Sequence, residues 1–332
     1  MPLVNVITAG AVVALIGAAG AGLMGVRRVA EPSAQSSRTT VTITLATATP
    51  GGGFPLYGDT LARVLHETDP GLDVRTRNTA GSTENVPLLD RGDVDLALVQ
   101  GEAAYEAFAG IGRAPTRALV LSAMYSTPGF FAVRTGSPYR TIEDLRGRPV
   151  AFGAKGSGLV ILARYVLDGL GLDMNRDFTA VLLDRAGDGP AMVRDGRVAA
   201  LWGGGTGWPG FTELMNGPGG ARLIAPSANE IPRIVAAHAF LKPLTLPAGA
   251  YAGQTEPIAS VGSWSLILTR PTLPDDVAYR LARALHESEH ALAAQLSQAR
   301  ATTAANTVAA VSADRIHPGV LKYFRDIGLS PR

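Results

Sequence analysis

The chain is divided at regular intervals by small polar turns. Each turn follows a short apolar run and leads into a stretch with helical spacing. Residues 41–46 (VTITLA) alternate β-branched with other residues and read as a strand. TPGGG follows. Residues 56–67 then carry Leu61, Val64 and Leu65 on one helical face. A second strand is expected at 72–77, a turn at 81–85 into a helix ending near Gly92, and strands at 95–100 (DLALVQ) and 118–123. The pattern then repeats. It gives a strand at 129–134, a short helix at 141–145 with Thr141 as N-cap and Asp144 three residues on, and a strand at 149–152. The turn GAKGSG, helix 159–170, strand 179–183, helix 189–196 and strand 199–202 follow. The last elements are strands 222–225 and 263–268, helix 275–290 and a helical tail. Such alternation predicts an α/β fold of doubly wound, mostly parallel sheets. The length of 332 residues suits two domains. The halves share architecture but no visible sequence repeat.

Composition removes whole classes of function. There is no cysteine, which excludes disulfide frameworks, zinc ribbons, thiol nucleophiles and iron–sulfur clusters. The 30 basic and 28 acidic residues are interspersed, so no basic stripe offers itself to nucleic acid. Hydrophobic residues make up 46%, too many for a disordered chain. Residues 3–26 carry no charge, and a run of 24 is long enough to cross a hydrocarbon core, which takes about 20. This segment reads as a signal peptide or membrane anchor, and the body is then expected outside the cytoplasm. Arg27 and Arg28 follow the run instead of preceding it, against the usual orientation rule. Residues 31–40 (EPSAQSSRTT) read as a polar linker.

Open parallel sheets bind ligands beyond the carboxyl ends of their strands. Here those positions are small and polar. Gly51, Gly52 and Gly53 open the first helix, which allows close backbone approach to a ligand or simply a flexible turn. The triplet is neither a phosphate loop nor a dinucleotide fingerprint, since the required spacings are missing. Ser82, Thr83 and Asn85 face the ligand or cap the second helix. Gln100 ends a buried strand, where an amide reads a carbonyl or hydroxyl or is satisfied within the sheet. Lys155 in GAKGSG attracts an acidic ligand or stays in solvent. Trp202 and Trp208 flank GGGTG and wall a pocket or pack beneath the turn. Tyr125 lies where the chain passes between lobes. His286 and His290 are four apart on a helix, but Glu-Ser-Glu between them marks a solvated face, and no metal is expected. No nucleophile elbow, paired carboxylates or general base stands out, so neither catalysis nor a cofactor is expected.

Several segments, in order, resemble the TAXI solute receptors of tripartite ATP-independent periplasmic (TRAP) transporters. They are ATPGGGFPLYGDTLARVL, GSTENVPLLDRGDVDLALVQ, TIEDLRGRPVAFGAKGSG, VRDGRVAALWGGGTGWPGFTEL, LPAGAYAGQTEPIASVGSWSLILTR and IHPGVLKYFRDIGL. The resemblance spans about residues 41–329. It implies a type II periplasmic-binding fold with two α/β lobes joined by hinge crossovers. Lobe 1 would comprise 41–127 and 260–332, lobe 2 would comprise 128–259, and 1–40 would be leader and linker. It implies a non-enzymatic, monomeric receptor for a small carboxylated solute, such as a glutamate- or glutamine-like amino acid or a 2-oxo or dicarboxylic acid, delivered to TRAP membrane permease subunits. By segment, the ligand-facing positions fall on Gly51, Gly52, Gly53, Phe54, Ser82, Thr83, Asn85, Gln100, Ser157, Gly158, Trp202, Gly203 and Thr206, with Tyr125 and Lys155 added from the residues themselves. Backbone N–H groups of Gly52, Gly53 and Ser157 would hold the carboxylate, Asn85 and Gln100 would orient it, and Trp202 would pack on its apolar part. Glu84 or Glu102 would hold an ammonium. Three departures bear on which solute it is: Gly101-Glu102 after Gln100, Lys155 before Ser157, and the bulky GGGTGWPG. A receptor of the ABC or sensory type on the same fold is the alternative, and an enzyme on a two-lobed scaffold a more distant one.

Overall fold

The apolar runs pair into a single curled, mixed sheet of ten strands. A computed structural model describes residues 40–331. The expected leader and all but the last residue of its linker, like Arg332, lie outside the described residues. Three strands, β1 (Val41–Ala46), β2 (Leu72–Arg77) and β3 (Leu96–Val99), pair in parallel around β1. Beyond them run β4 (Leu119–Arg134), β5 (Pro149–Ala154), β6 (Thr179–Leu183), β7 (Ala200–Gly204), β8 (Ala221–Ile224), β9 (Lys242–Leu246) and β10 (Ile258–Thr269). The order is β2-β1-β3-β10-β4-β7-β5-β6, with β8 on β4 and β9 on β10. The parallel β1–β2, β1–β3, β5–β6 and β5–β7 pairs give each lobe its doubly wound centre.

Two long strands, β4 and β10, join the lobes. Residues 119–128 of β4 pair antiparallel with β10, and residues 129–134 pair with β7 and β8. β10 likewise pairs with β9 over 258–262 and with β3 over 266–269. The sequence predicted two strands here, 118–123 and 129–134, separated by residues 124–128. The strand is continuous because Pro128 sits where pairing passes from β10 to β7, so its missing N–H leaves no gap in a ladder.

Eleven helices cover the sheet among the described residues: α1 (Gly53–Thr68), α2 (Ser82–Arg91), α3 (Gly101–Ala109), α4 (Gly158–Gly169), α5 (Gly189–Arg194), α6 (Pro209–Asn216), α7 (Glu230–Ala237), α8 (Asp275–Glu287), α9 (Glu289–Gln295), α10 (Ala304–Ala310) and α11 (Pro318–Asp326). The expected cap at Thr141 takes the form of a reciprocal pair. Asp144 N donates to Thr141 Oγ1 (3.2 Å) and Thr141 N donates to the Asp144 carboxylate (2.9 Å).

Burial follows the lobes. One core draws on residues between Phe130 and Val261 and is rich in rings, with Phe131 tilted against Trp202 at 4.7 Å and edge-on to Phe152 at 6.0 Å. A second core joins residues of β1, α1 and β3 to α8 and α11. A third, smaller cluster includes Ala103, Ala104, Ala107 and Ile161, so α3 of one lobe packs on α4 of the other. That contact holds the two lobes together on one side of the cleft.

Candidate functional site

The first helices after the strands all begin at the cleft. The amino ends of α1, α2 and α3 have no side-chain cap, their N-cap residues being Gly52, Gly81 and Gln100. Only α4 is capped there, Ser157 Oγ accepting from Leu159 N (3.2 Å). Helix ends left this way carry partial positive charge, although at α2 the Thr83 N–H is taken by Gly156 O.

Between the lobes lies a cavity of ≈ 60 Å³. That is room for roughly four or five water-sized groups. Its polar side chains come from Thr49, Ser82, Gln100, Tyr125, Thr127 and Gln298 on one lobe, and mainly Ser157 on the other. Phe54, Leu159 and Trp208 supply the apolar wall. No lining residue carries a formal charge.

Two amides stand out. The Nε2 atoms of Gln100 (4% exposed) and Gln298 (9% exposed) are buried and make no hydrogen bond within the protein. A buried donor without a partner is costly, so each amide gains by meeting an acceptor, whether from the protein or from a ligand. Tyr125 is buried, and desolvation pushes its hydroxyl pKa far above the usual phenol range, so it stays a neutral O–H.

Seven of the expected residues line the cavity: Gly52, Gly53, Phe54, Ser82, Gln100, Tyr125 and Ser157. The others do not. Asn85 is used up beneath the strand ends, its Nδ2 donating to Thr47 O (2.7 Å) and Leu98 O (2.8 Å) while Thr79 Oγ1 donates to its Oδ1 (2.7 Å). It ties β1 to β3 and does not orient a ligand directly. Trp202 is wholly inside the ring-rich core, its indole N–H donating to Leu159 O (2.8 Å). The ring at the cavity is Trp208 instead. It covers Gly203, whose added Cβ would lie 2.5 Å from the indole, and Tyr251 fixes its loop by donating to Gly205 O (2.6 Å) and accepting from Trp208 N (2.9 Å). Lys155 points to solvent and pairs with the exposed Asp184 (2.8 Å). Thr206 is half-buried outside the lining.

The remaining three serve lobe-to-lobe contact. Thr83 donates from both N (3.2 Å) and Oγ1 (3.1 Å) to Gly156 O of the opposite lobe. Gly51 and Gly158 have room for no Cβ: one on Gly51 would stand 2.5 Å from Gly187 Cα, and one on Gly158 would stand 2.5 Å from Gln100 Cβ. Gly156 is alike, 2.6 Å from Ala80 O. Ala186 N donates to Thr49 Oγ1 (3.1 Å) at the other lip. The lobes are thus in contact around the cavity, and backbone meets backbone where they touch.

Neither acidic residue expected to hold an ammonium reaches the cavity. Glu84 accepts from Ala80 N (2.6 Å), closing the first turn of α2. Glu102 is fully buried behind Gln100, with Ser263 Oγ donating to its Oε1 (2.7 Å). Burial pushes its pKa up to about 7 despite the hydrogen bonds that oppose the shift. Gln298 had no signal in the sequence: SQARA lies far from any strand end and reaches the cavity only because Ser297–Ala301 folds back onto β4.

Residues 45–328 match the model of the NMT1-like family, and the chain belongs to that family. Among solved structures it is similar to a protein of Bordetella bronchiseptica RB50 (TM-score 0.53, 15% identity, covering 86% of this chain and 88% of that one). It is also similar to the alkanesulfonate-binding protein SsuA from Xanthomonas axonopodis pv. citri bound to MOPS (0.48, 20%, 79% and 78%). A putative L-cystine ABC transporter from Listeria monocytogenes is a third (0.48, 15%, 76% and 93%). At these identities the likeness concerns the fold alone, an α/β fold on a curled mixed sheet.

Proposed function

We propose that this member of the NMT1-like family is an extracytoplasmic solute receptor that captures a small carboxylated molecule between its lobes. Lobe 1 is taken as 41–127 and 260–332 and lobe 2 as 128–259. The observation that carries the reading is the cavity itself: unpartnered amides of Gln100 and Gln298 beside uncapped helix ends, with no charged side chain. Neutral donors and helix dipoles suit one compact anion. Nothing lining the cavity would neutralise an ammonium, so among the expected solutes a 2-oxo acid is favoured over a zwitterionic amino acid. Trp208 and Phe54 pack on its carbon skeleton. Closure is a population shift toward the arrangement in which Thr83 meets Gly156 and Thr49 meets Ala186. The segment resemblance supports delivery to a TRAP-type permease, with a leader that exports or anchors the receptor.

Calorimetry with pyruvate, 2-oxoglutarate, succinate, glutamate and glutamine tests this. The expected outcome is binding of at least one 2-oxo or simple carboxylic acid, tighter than either amino acid, with about tenfold loss in Gln298→Ala from one charge-assisted hydrogen bond. No heat with any of them sinks the carboxylate reading. Tightest binding of glutamate sinks the argument from the missing counter-charge.

A further inference from the structure

The Glu102 side chain has no place in the lobe contacts or the cavity lining, yet it is the most constrained acid of the site. It sits on the first turn of α3, two residues beyond Gln100. Gly101 between them is pressed against β10, where an added Cβ would collide with Ser263 and Trp264. Ser263 Oγ donates to Glu102 Oε1, but Oε2 is buried with no partner. The adjoining amide has the matching gap. Gln100 Nε2 is also buried without a well-formed hydrogen bond, and the Gln100 side chain is close enough to the carboxyl to weaken its hold on the proton. The acid and the neighbouring amide each have one buried polar atom without a hydrogen-bond partner, and the amide lines the solute cavity.

An amide is two-faced: its carbonyl accepts and its NH₂ donates. A protonated Glu102 donates from Oε2 to the Gln100 carbonyl, which turns the NH₂ toward the cavity. An ionised Glu102 attracts that NH₂ instead, leaving the carbonyl toward the cavity with a negative charge behind it. The first arrangement accepts an anion and the second repels it.

We propose that Glu102 is a positioning residue whose proton sets which end of the Gln100 amide faces the solute, so that anion capture is coupled to proton uptake. The proposal rests on the solute reading of the cavity for its consequence, though not for its geometry. Other charges around Glu102 are already engaged. On its own helix Glu106 accepts from Arg164 and from the Tyr165 hydroxyl (3.0 Å), both on α4. Asp168 of α4 pairs with His238 (2.8 Å). On α2, Glu84 holds Ala80 N, Asp90 holds Thr116 and Arg113, and Arg91 pairs with Asp93. β10 brings no ionisable side chain, and β3 brings none. Tyr125 of β4 stays neutral through burial. Among these carboxyls Glu102 is the one that is fully buried and has no charged partner, consistent with its raised pKa of about 7.

The test is a pH titration of the full protein by NMR, following the side-chain NH₂ of Gln100 (assigned by its loss in Gln100→Leu) and the Glu carboxyl carbons. In the wild type one carboxyl and the Gln100 amide should move together with a shared midpoint near neutrality. In Glu102→Gln, which places a permanent NH₂ donor where the protonated acid has its O–H, the amide should stay still. A Gln100 amide that does not move between pH 5 and 9, or moves alike in Glu102→Gln, overturns the proposal. Pyruvate affinity supplies the second arm: about tenfold weaker binding at pH 8.5 than at 6.5 in the wild type, and none of that loss in Glu102→Gln. An equal loss in both proteins also overturns it. Should no acid bind at any pH, the solute reading fails, and the amide titration still decides the coupling.

Discussion

The two lobes contribute differently to the cleft between them. Lobe 1 brings chemistry: Thr49, Ser82, Gln100, Tyr125, Thr127 and Gln298 all present polar side chains. Lobe 2 brings shape: Gly153, Ala154, Gly204, Leu159 and Trp208, with Ser157 as its main polar side chain. The aromatic content of lobe 2 is mostly behind the surface, where Phe130, Phe131, Phe152, Trp202 and Phe211 are fully buried. A lobe with a stiff core and a nearly bare face acts as a lid that fits closely. A lobe with polar side chains held by strand ends reads the solute. The glycines at lobe 2's rim therefore belong to fit between backbones, not to flexibility.

Four substitutions probe this division of labour between the lobes. Trp202→Ala should cost about 3–5 kcal/mol of folding stability, as expected when a large buried ring is removed. Denaturant unfolding measures it, and a loss confined to ligand affinity would move Trp202 from the core to the site. Next is Glu102→Gln on the reading lobe. A buried acid with a raised pKa favours the folded state while both forms are protonated, and that advantage drains away as pH rises from the ordinary carboxylate value toward 7. Wild-type stability should therefore fall between about pH 4.5 and 7, by on the order of 3 kcal/mol for a shift from 4.5 to about 7. Glu102→Gln should show no such slope, and melting curves across that range check it. Third, Gly156→Ala places a methyl against Ala80 of the opposite lobe, whose atoms are its nearest neighbours. It should lower solute affinity more than tenfold, enlarge the radius of gyration by scattering, and leave the unliganded melting temperature nearly unchanged. Undiminished affinity would show that closure does not need that glycine. Last, Lys155→Ala should change neither stability nor affinity measurably, because its partner Asp184 is 83% exposed. A clear affinity loss would put a charge back into the site.

Much of the architecture was legible because it rests on local pattern. Strands 41–46, 72–77 and 179–183 stand where the β-branched runs predicted them. Helix α3 was missed because GEAAYEAFA opens on glycine and buries three alanines, too small to mark a face, together with Glu102, whose charge reads as solvent-facing. Strand β9 was missed because KPLTL holds a proline and a lysine, tolerated on a strand that pairs only with β10. In the site, sequence reading found the turns but not the side of each strand end that faces the cavity. Asn85 and Trp202 have the chemistry expected of ligand contacts. Only the packing reveals that Asn85 is spent on Thr47 and Leu98 and that Trp202 is spent on Leu159. Gln298 was invisible because a tertiary return of the chain, not a motif, brings it there.

The place of β10 has a consequence for how the molecule is made. β3 and β4 follow one another in the chain but do not pair; β10 lies between them. The ring-rich core is drawn from one continuous stretch, Phe130 to Val261, and has all its parts as soon as that stretch exists. The other core joins Ile43–Tyr125 to Ile267–Phe324 and is missing its central strand until the chain is nearly complete. Closing contacts over such separations is slow. Nascent chains therefore carry a gap with two exposed strand edges until the last part of the sequence arrives, and the lobe that reads the solute is the last to become a solid.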